Sequence, residues 1–96
     1  MSSTPASVVV RHNPPENRFE ATVDGHLSVA DYELRDGKMV MTHTFVPPEL
    51  RGRGVAEKLV RAALEHAKAS QLRVVPACSY VAVFIERNPE FRTLVG

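Results

Sequence analysis

Two Asp-Gly dipeptides, at positions 24–25 and 36–37, divide the first half of the chain into short segments. Asp-Gly is a strong signal for a tight hairpin turn between two strands. The segment before the first dipeptide, residues 19–23, alternates apolar and polar side chains with the period of a half-buried strand. Residues 26–34 and 39–46 supply the two strands that follow. The sequence therefore predicts an antiparallel meander in this half of the chain.

Two further segments precede the meander. Residues 7–11 are rich in β-branched side chains and predict a short strand, and a turn containing two prolines follows at residues 13–17. Residues 1–6 are small and polar and predict a flexible tail. We therefore expect one folded domain at residues 7–96.

The second half of the chain changes to helical periodicity. Residues 52–69 place apolar side chains on one face of a long helix, at Val55, Ala56, Leu59, Val60, Ala63, Leu64 and Ala67. Residues 72–75 predict a buried strand that returns to the sheet by a right-handed connection. Residues 79–87 predict a short helix with Ser79 as its N-cap, and residues 91–95 predict a last segment packed on the core. We expect an α+β domain with a mostly antiparallel sheet of about five strands, one long helix and a short C-terminal helix.

Composition and charge exclude several classes of protein. The formal net charge of +1 over 96 residues lacks the basic excess of a nucleic-acid-binding module, so we expect no direct nucleic-acid binding. No apolar run approaches the roughly 20 residues that span a bilayer, so we expect no membrane partner. The single cysteine, Cys78, and the lack of a secretory signal predict a cytoplasmic location. His12, His26 and His66 lie in separate segments without paired spacing, so no metal site is predicted.

The segment Arg51-Gly52-Arg53-Gly54-Val55-Ala56 joins the third strand of the meander to the long helix. Glycine leaves space in front of the backbone and allows positive φ. The first helical turn carries free N–H groups and the positive end of the helix dipole, and no Ser, Thr, Asp or Asn precedes it as a cap. This loop has the chemistry of a diphosphate site, although a plain helix entry can have the same short glycine pattern.

Four motifs carry a resemblance to a known superfamily. Arg51-x-x-Gly54-x-Ala56 resembles the Gln/Arg-x-x-Gly-x-Gly/Ala motif of the GNAT acyltransferases, in the expected strand–loop–helix context. The three other motifs resemble those of a small single-domain GNAT-like branch. They are His43-Thr44-x-Val46-Pro47, Pro76-x-Cys78-Ser79-Tyr80-Val81 and Asn88-Pro89-Glu90-Phe91. The similarity extends over residues 19–95, which is nearly the whole chain. It implies that the domain is an acetyl-CoA-dependent N-acetyltransferase.

The resemblance also implies where the parts of coenzyme A lie. The diphosphate would bind the backbone of Arg51, Gly52, Arg53, Gly54, Val55 and Ala56. Phe45 and Val46 would offer backbone hydrogen bonds to the pantetheine arm at a splayed strand edge, and the thioester would lie near Thr44 and Cys78. Lys58 and Arg61 are either contacts to the outer phosphates or part of a solvated helix face.

Two mechanisms remain open at the sequence level. Cys78 at a helix N-terminus is favoured as a thiolate that could accept an acetyl group and pass it to an amine, unless it is simply a buried cysteine. His43 could instead act as the base for direct attack by the amine, or only satisfy a local hydrogen bond. Larger GNAT enzymes use a tyrosine as general acid, and Glu86 falls near its position here. Tyr80 could replace that tyrosine only if its side chain turned inward.

Three functional classes follow from this pattern. The first is an N-acetyltransferase acting on an amine of a small molecule or a protein, the second a non-catalytic acyl-CoA sensor or adaptor, and the third an interaction domain without a ligand. The tight turn at 24–25 leaves no room for the inserted helices of larger GNAT domains, so we expect an open acceptor side. The thin core of so short a chain leaves apolar surface that a second copy could cover in a homodimer.

Overall fold

The computed structural model describes residues 8–96, and the predicted tail at residues 1–6 lies outside the described residues. Within residues 8–96 the strands are β1 (Val10–Asn13), β2 (Arg18–Val23), β3 (His26–Arg35), β4 (Lys38–Phe45) and β5 (Arg73–Pro76). The helices are α1 (Val55–Ala69) and α2 (Ser79–Arg87), with 3-10 turns at Pro14–Glu16, Pro48–Leu50 and Pro89–Leu94. The predicted α+β class is therefore confirmed.

The strands form one sheet in the order β1-β2-β3-β4-β5. Neighbours are antiparallel up to β4, whereas β4 and β5 are parallel. Both Asp-Gly dipeptides form the predicted hairpin turns, with φ of 53° and 78° at Asp24 and Gly25 and of 51° and 76° at Asp36 and Gly37. Positive φ at both central residues is the hairpin turn whose twist matches that of the paired strands.

Helix α1 lies across the sheet and contacts every strand. Its inner face is buried as predicted at Val55, Leu59, Val60, Ala63, Leu64 and Ala67, whereas Ala56 is half-exposed. The sheet contributes Phe19, Ala21, Ala30, Tyr32, Met39, Met41 and Val74 to the same core. Helix α2 adds Val81, Phe84 and Ile85, and the last 3-10 turn adds Phe91. Burial of this apolar surface is the main force that holds the two layers together.

Some element boundaries differ from the sequence-based expectation. Helix α1 begins at Val55 rather than residue 52, because Gly52 and Gly54 have φ of 85° and 77°, outside the helical region. Cys78 rather than Ser79 is the N-cap residue of α2, and no side chain among residues 8–96 caps that helix. Strands β1 and β5 lie later in the sequence than predicted. Their bounds follow from pairing with β2 and β4, which residue composition alone does not show.

Two of the histidines, which lie in separate segments of the sequence, meet in the folded protein. The His12 ring stacks on Phe19 with centroids 4.2 Å apart, and its Nε2 lies 2.6 Å from the Tyr32 hydroxyl oxygen. The His66 ring approaches it edge-on at 4.5 Å between centroids. Burial, and then the neighbouring His66, lower the pKa of His12 below its ordinary value of 6.5. The folded chain therefore favours a neutral His12.

This lowered pKa predicts a pH-dependent stability. The unfolded chain binds a proton at His12 near pH 6.5, whereas the folded chain resists it, so the free energy of unfolding should fall as the pH drops from 6.5 to the lowered folded pKa. Urea unfolding between pH 7 and pH 5.5 measures this loss. His12→Gln should flatten the dependence. An unchanged slope in His12→Gln would contradict the assignment.

Replacing Ser28 on β3 should stabilise the folded protein. Its side chain is fully buried, and its Oγ has no hydrogen-bond partner among the described residues. An unpaired buried hydroxyl costs about 1–3 kcal/mol, so Ser28→Ala should raise the free energy of unfolding by about 1 kcal/mol. Urea unfolding at pH 7 tests this, with Ser28→Val as the variant that overfills the site. Lower stability in Ser28→Ala would show that the hydroxyl is bonded.

Candidate functional site

Strands β4 and β5 pair over only part of their length. Their register runs from Lys38 opposite Arg73 to Met41 opposite Pro76. The Cys78 N–H then donates to the Met41 carbonyl at 2.8 Å, and the chain turns into α2. The remainder of β4 has no strand partner on that side within the described chain. A gap therefore opens between the end of β4 and the start of α2, as the splayed edge predicted from the sequence requires.

A β-bulge in β4 sets which side chains face this gap. Asp31 pairs with His43 and Tyr32 pairs with Met41, so Thr42 is an extra residue with no partner of its own on β3. In a regular strand, residues three apart lie on opposite faces. The bulge cancels this alternation, so that Thr44 lies on the same side as the buried Met41. Its Oγ1 is 3.6 Å from the Cys78 Sγ.

The surroundings of Cys78 lower the pKa of its thiol. Burial is the largest single influence and raises the pKa of the thiol. Hydrogen bonds from the Val81 N–H, the Thr44 hydroxyl, the Tyr80 N–H and the Thr44 N–H outweigh it, and the net pKa lies below the ordinary thiol value. Two of these donors belong to the first turn of α2 and the others to the free edge of β4. The structure thus brings Cys78 and Thr44 together at the gap.

His43 lies on the other side of β4. It is exposed and pairs across the strands with Asp31. No hydrogen bond joins His43 to Cys78 among the described residues. The structure therefore does not bring the two candidate catalytic side chains into contact, because adjacent residues of a strand point to opposite faces.

The loop before α1 is open and uncapped. Gly54 is the N-cap residue, with φ 77° and ψ 16°, and no side chain in the described part of the chain caps the helix. The first helical bond runs from the Lys58 N–H to the Gly54 carbonyl, so the preceding N–H groups of α1 have no acceptor within the helix. A Cβ atom built on Gly52 or Gly54 would meet nothing within 4 Å. The space in front of these donors is free.

Both loop arginines are tied to the protein. Arg51 donates from Nε to the Val46 carbonyl at 3.1 Å, which fixes the loop to the end of β4. Arg53 forms an ion pair with Asp24 on the β2–β3 turn at 2.9 Å. The positive charge that the sequence places beside the loop is therefore partly offset. Sequence patterns did not show either contact. Asp24 is distant from Arg53 along the chain, and Val46 contributes a backbone carbonyl rather than a side chain.

A cleft of about 250 Å³ lies in front of the loop. Its lining comprises Val46, Leu50, Arg51, Gly52, Gly54, Val55, Ala56, Glu57 and Tyr80. Glu57 and Tyr80 were not predicted as cleft residues. Burial, and then the Glu57 carboxylate, raise the pKa of Tyr80, so its phenol stays protonated at neutral pH. The cleft therefore combines loop N–H groups with an aromatic wall from α2.

Arg61 has a structural role that the sequence did not reveal. It donates to the Asn88 side-chain oxygen at 3.1 Å and lies 3.7 Å from both Glu57 and Glu90. Its guanidinium also stands over the Phe84 ring, 5.3 Å from the centroid. These contacts join α1 to α2, a role that differs from both sequence-based alternatives, an outer-phosphate contact and a solvated helix face.

Comparison with known proteins identifies the family. The sequence profile of the GCN5-related N-acetyl-transferase family matches residues 18–94. The chain belongs to this family. Protein NATD1 of Bos taurus is 34% identical over 83 residues, which cover 83% of this chain and 74% of that protein. Protein NATD1 of Xenopus tropicalis is 31% identical over 87 residues, which cover 88% and 80%.

A solved structure supports the GNAT fold independently. The solution NMR structure of a GCN5-like protein from Staphylococcus aureus superposes with a TM-score of 0.73 at 26% identity. The match covers 95% of this chain and 90% of that chain. The GNAT membership predicted from the loop and the Cys-Ser-Tyr-Val motif is therefore confirmed.

Two further features bear on what this GNAT domain could bind. Within residues 8–96, no helix is long and apolar enough to cross a membrane. The same residues contain no group of three or more His, Cys, Asp or Glu side chains placed to hold a metal ion.

The contact between Thr44 and Cys78 predicts a measurable change in thiol reactivity. Thr44→Val keeps the shape of the side chain but removes the hydroxyl that lowers the pKa of Cys78. The pH midpoint of alkylation by iodoacetamide should therefore rise in Thr44→Val. Thr42→Val, on the bulge, is the matched control and should leave the midpoint unchanged. Equal midpoints in all three proteins would contradict the role assigned to the Thr44 hydroxyl.

Proposed function

We propose that this chain is an N-acetyltransferase that moves an acetyl group from acetyl-CoA to an amine, with Cys78 as the first acyl acceptor. The observation that carries the proposal is the placement of the Cys78 thiol. It lies where β4 and β5 separate, surrounded by donors that lower its pKa. An uncapped helix N-terminus opens beside the end of the same strand. A thiolate and an anion-binding loop at one strand edge suit a thioester that carries a diphosphate.

The donor acetyl-CoA would bind along β4. The N–H groups of Gly52, Gly54 and the first turn of α1 would hold the diphosphate in the cleft. The Arg51 and Arg53 N–H groups, which the sequence also suggested, already donate to the Pro48 and Leu50 carbonyls at 3.3 Å. The pantetheine arm then follows the free edge of β4 past Val46 and Phe45 towards Thr44 and Cys78. Because Arg51 already occupies the Val46 carbonyl, the Val46 N–H is the group left for the arm.

Acetyl transfer would proceed in two steps. The Cys78 thiolate attacks the thioester carbonyl carbon, a new carbon–sulfur bond forms, and coenzyme A leaves as a thiolate that takes up a proton from solvent. An amine then attacks the acetyl-Cys78 carbonyl, the carbon–nitrogen bond forms, and the Cys78 thiolate is regenerated. The proton lost by the amine passes to a base.

We assign that base role to His43. It is exposed on the face of β4 opposite Thr44, so an amine that approached the gap from that face would meet it. The hydrogen-bond donors around Cys78 lower the pKa of its thiol, which favours its attack on the thioester in the first step. His43 therefore serves the second step and not the first.

The acceptor side of the domain is open. β1 and β2 are joined by a single 3-10 turn and β2 and β3 by two residues. Such a surface suits an amine on a protein or a small molecule, and its apolar parts suit a second copy of the chain. The sequence favours neither a nucleic acid nor a membrane as partner and predicts a cytoplasmic location.

One observation favours a second candidate, a non-catalytic acyl-CoA sensor. Glu86 occupies the position near which larger GNAT enzymes carry their tyrosine acid, and its side chain is exposed. A chain without that acid could bind acetyl-CoA and not transfer the acetyl group. Binding alone, without acylation of Cys78, would favour this candidate.

Intact-protein mass measurement tests the first step. Mixing the chain with acetyl-CoA and no amine should add one acetyl group that neutral hydroxylamine removes, as expected for a thioester. Cys78→Ser and Cys78→Ala should not acquire this group, although both should still bind acetyl-CoA in a calorimetric titration. His43→Ala should acylate normally and transfer the acetyl group to amines more slowly, whereas His26→Ala should match the unmodified chain.

Other outcomes separate the candidates. Gly54→Glu places a carboxylate in the diphosphate site and should abolish binding. No calorimetric response of the unmodified chain to millimolar acetyl-CoA would refute both candidates. Undiminished transfer by a double variant of Cys78→Ala and His43→Ala would refute the site assignment alone.

A further inference from the structure

One face of the sheet carries no helix within residues 8–96. Helices α1 and α2 pack on the face that holds Ala30, and their apolar side chains share one core with it. Leu27, Val29 and Phe45 lie on the opposite face, and none of the three is part of that core. Leu27 is 42% exposed and Phe45 is 43% exposed. Apolar side chains therefore remain uncovered on this face, next to the gap between β4 and α2.

The pairing of β3 with β4 places four side chains of this face at the corners of a rectangle. Val29 lies opposite Phe45, and Asp31 lies opposite His43. Directly paired residues of antiparallel strands share a face at about 5 Å, and residues two apart along a strand repeat at about 7 Å. The rectangle therefore has an apolar side and a polar side, and Leu27 extends the apolar side. We call these five residues the acceptor patch.

Asp31 supplies a negative charge to the acceptor patch. It is half-buried, and its carboxylate forms no ion pair with any described residue. The other carboxylate of this face, Glu20, already accepts hydrogen bonds from three side chains, those of Arg11, Asn13 and Arg18. Arg18 lies opposite Asp31 on β2, but its Nε donates to Glu20 at 2.7 Å. Asp31 is therefore the carboxylate of this face that is available to a bound cation.

We propose that the acceptor patch binds the amine that receives the acetyl group, and that it selects a primary amine joined by a short carbon chain to an apolar group. The ammonium group lies between Asp31 and His43. The apolar group lies on Leu27, Val29 and Phe45. This inference rests on the proposed function, because it takes His43 as the base of the second step. It narrows the acceptor from any amine to an apolar monoamine.

The dimensions of the acceptor patch set the shape of this amine. A nitrogen at Asp31 is one strand repeat, about 7 Å, from the apolar side of the patch. A link of two carbons to a ring spans that distance, as in phenethylamine. A polyamine would place a second charge on the apolar side, where no free carboxylate offsets its lost hydration. The charge and the spacing together therefore favour the apolar monoamine.

The acceptor patch also lies beside the reacting sulfur. Thr44 lies between His43 and Phe45 and faces the other way, with its Oγ1 at 3.6 Å from the Cys78 Sγ. Past Met41 the edge of β4 has no strand partner among the described residues, so a bound amine can reach Cys78 around a free edge. Asp31 holds the ammonium form, and loss of one proton to solvent gives the neutral amine. The proton released when the nitrogen attacks acetyl-Cys78 passes to His43.

NMR titration of the isotope-labelled chain with amines, without acetyl-CoA, tests the acceptor patch directly. Phenethylamine should shift the backbone N–H signals of the patch. It should bind about tenfold more tightly than 2-phenylethanol, which keeps the ring and lacks the charge. It should bind about fivefold more tightly than ethanolamine, which lacks the ring. Spermidine, which has several charges and no apolar group, should bind less tightly than phenethylamine.

Variants separate the polar and apolar sides of the patch. Asp31→Asn should weaken the binding of phenethylamine about tenfold and leave that of 2-phenylethanol unchanged. Phe45→Ala should weaken the binding of phenethylamine about fivefold and leave that of ethanolamine unchanged. Leu34→Ala is the matched control, because Leu34 is 56% exposed at the other end of β3, and it should change neither affinity. Thermal unfolding checks that the three variants fold.

Transfer from acetyl-CoA should follow the same order as binding. The kcat/KM for phenethylamine should exceed that for ethanolamine about fivefold, and Phe45→Ala should remove the difference. Equal values for the two amines, or NMR shifts outside the patch, would overturn this inference. A dimer in sedimentation that Phe45→Ala separates into monomers would also overturn it, because a second copy would then cover the patch. These outcomes leave the proposed function intact, which fails separately if acetyl-CoA does not acylate Cys78.

Discussion

The hydrogen bond from the Cys78 N–H to the Met41 carbonyl, at 2.8 Å, is the contact on which the site depends. It is made at the end of the β4–β5 pairing, and the chain leaves the sheet immediately afterwards as α2. If the pairing continued, the N–H groups of the β4 edge would be satisfied by β5 and Cys78 would lie within the sheet. The early end of the pairing instead leaves Thr44 and the first turn of α2 as donors around one thiol.

The parts of the fold that follow from local chemistry could be predicted from the sequence. The Asp-Gly turns require positive φ at two residues, and that requirement is satisfied within four residues of chain. The inner face of α1 follows from a repeat of 3.6 residues in the same way. The loop at residues 51–56 was recognisable because its glycines and its missing cap are both visible in the sequence. The family and the α+β class rest on these features.

The remainder of the site depends on contacts between distant segments, which a sequence pattern does not contain. The bulge at Thr42 arises from the register between β3 and β4, and it decides that Thr44, not His43, faces Cys78. The ion pair between Arg53 and Asp24 joins residues 29 positions apart. His12 and His66 were separate in the sequence and meet only because α1 crosses β1. Each of these contacts is a consequence of tertiary packing. Each changes the charge or the exposure of a residue whose type alone is visible in the sequence.

Two opposing influences set the pKa of the Cys78 thiol. Burial opposes ionisation, and four hydrogen bonds overcome it. Three of the four donors are backbone N–H groups, which are positioned by the helix and the strand and carry no side-chain entropy cost. Helix α2 fixes its own two donors, because the Ala82 N–H bonds the Cys78 carbonyl at 3.1 Å and closes the first turn. The fold itself therefore lowers the pKa of Cys78, and Thr44 is the side chain that adds to the effect of the backbone donors.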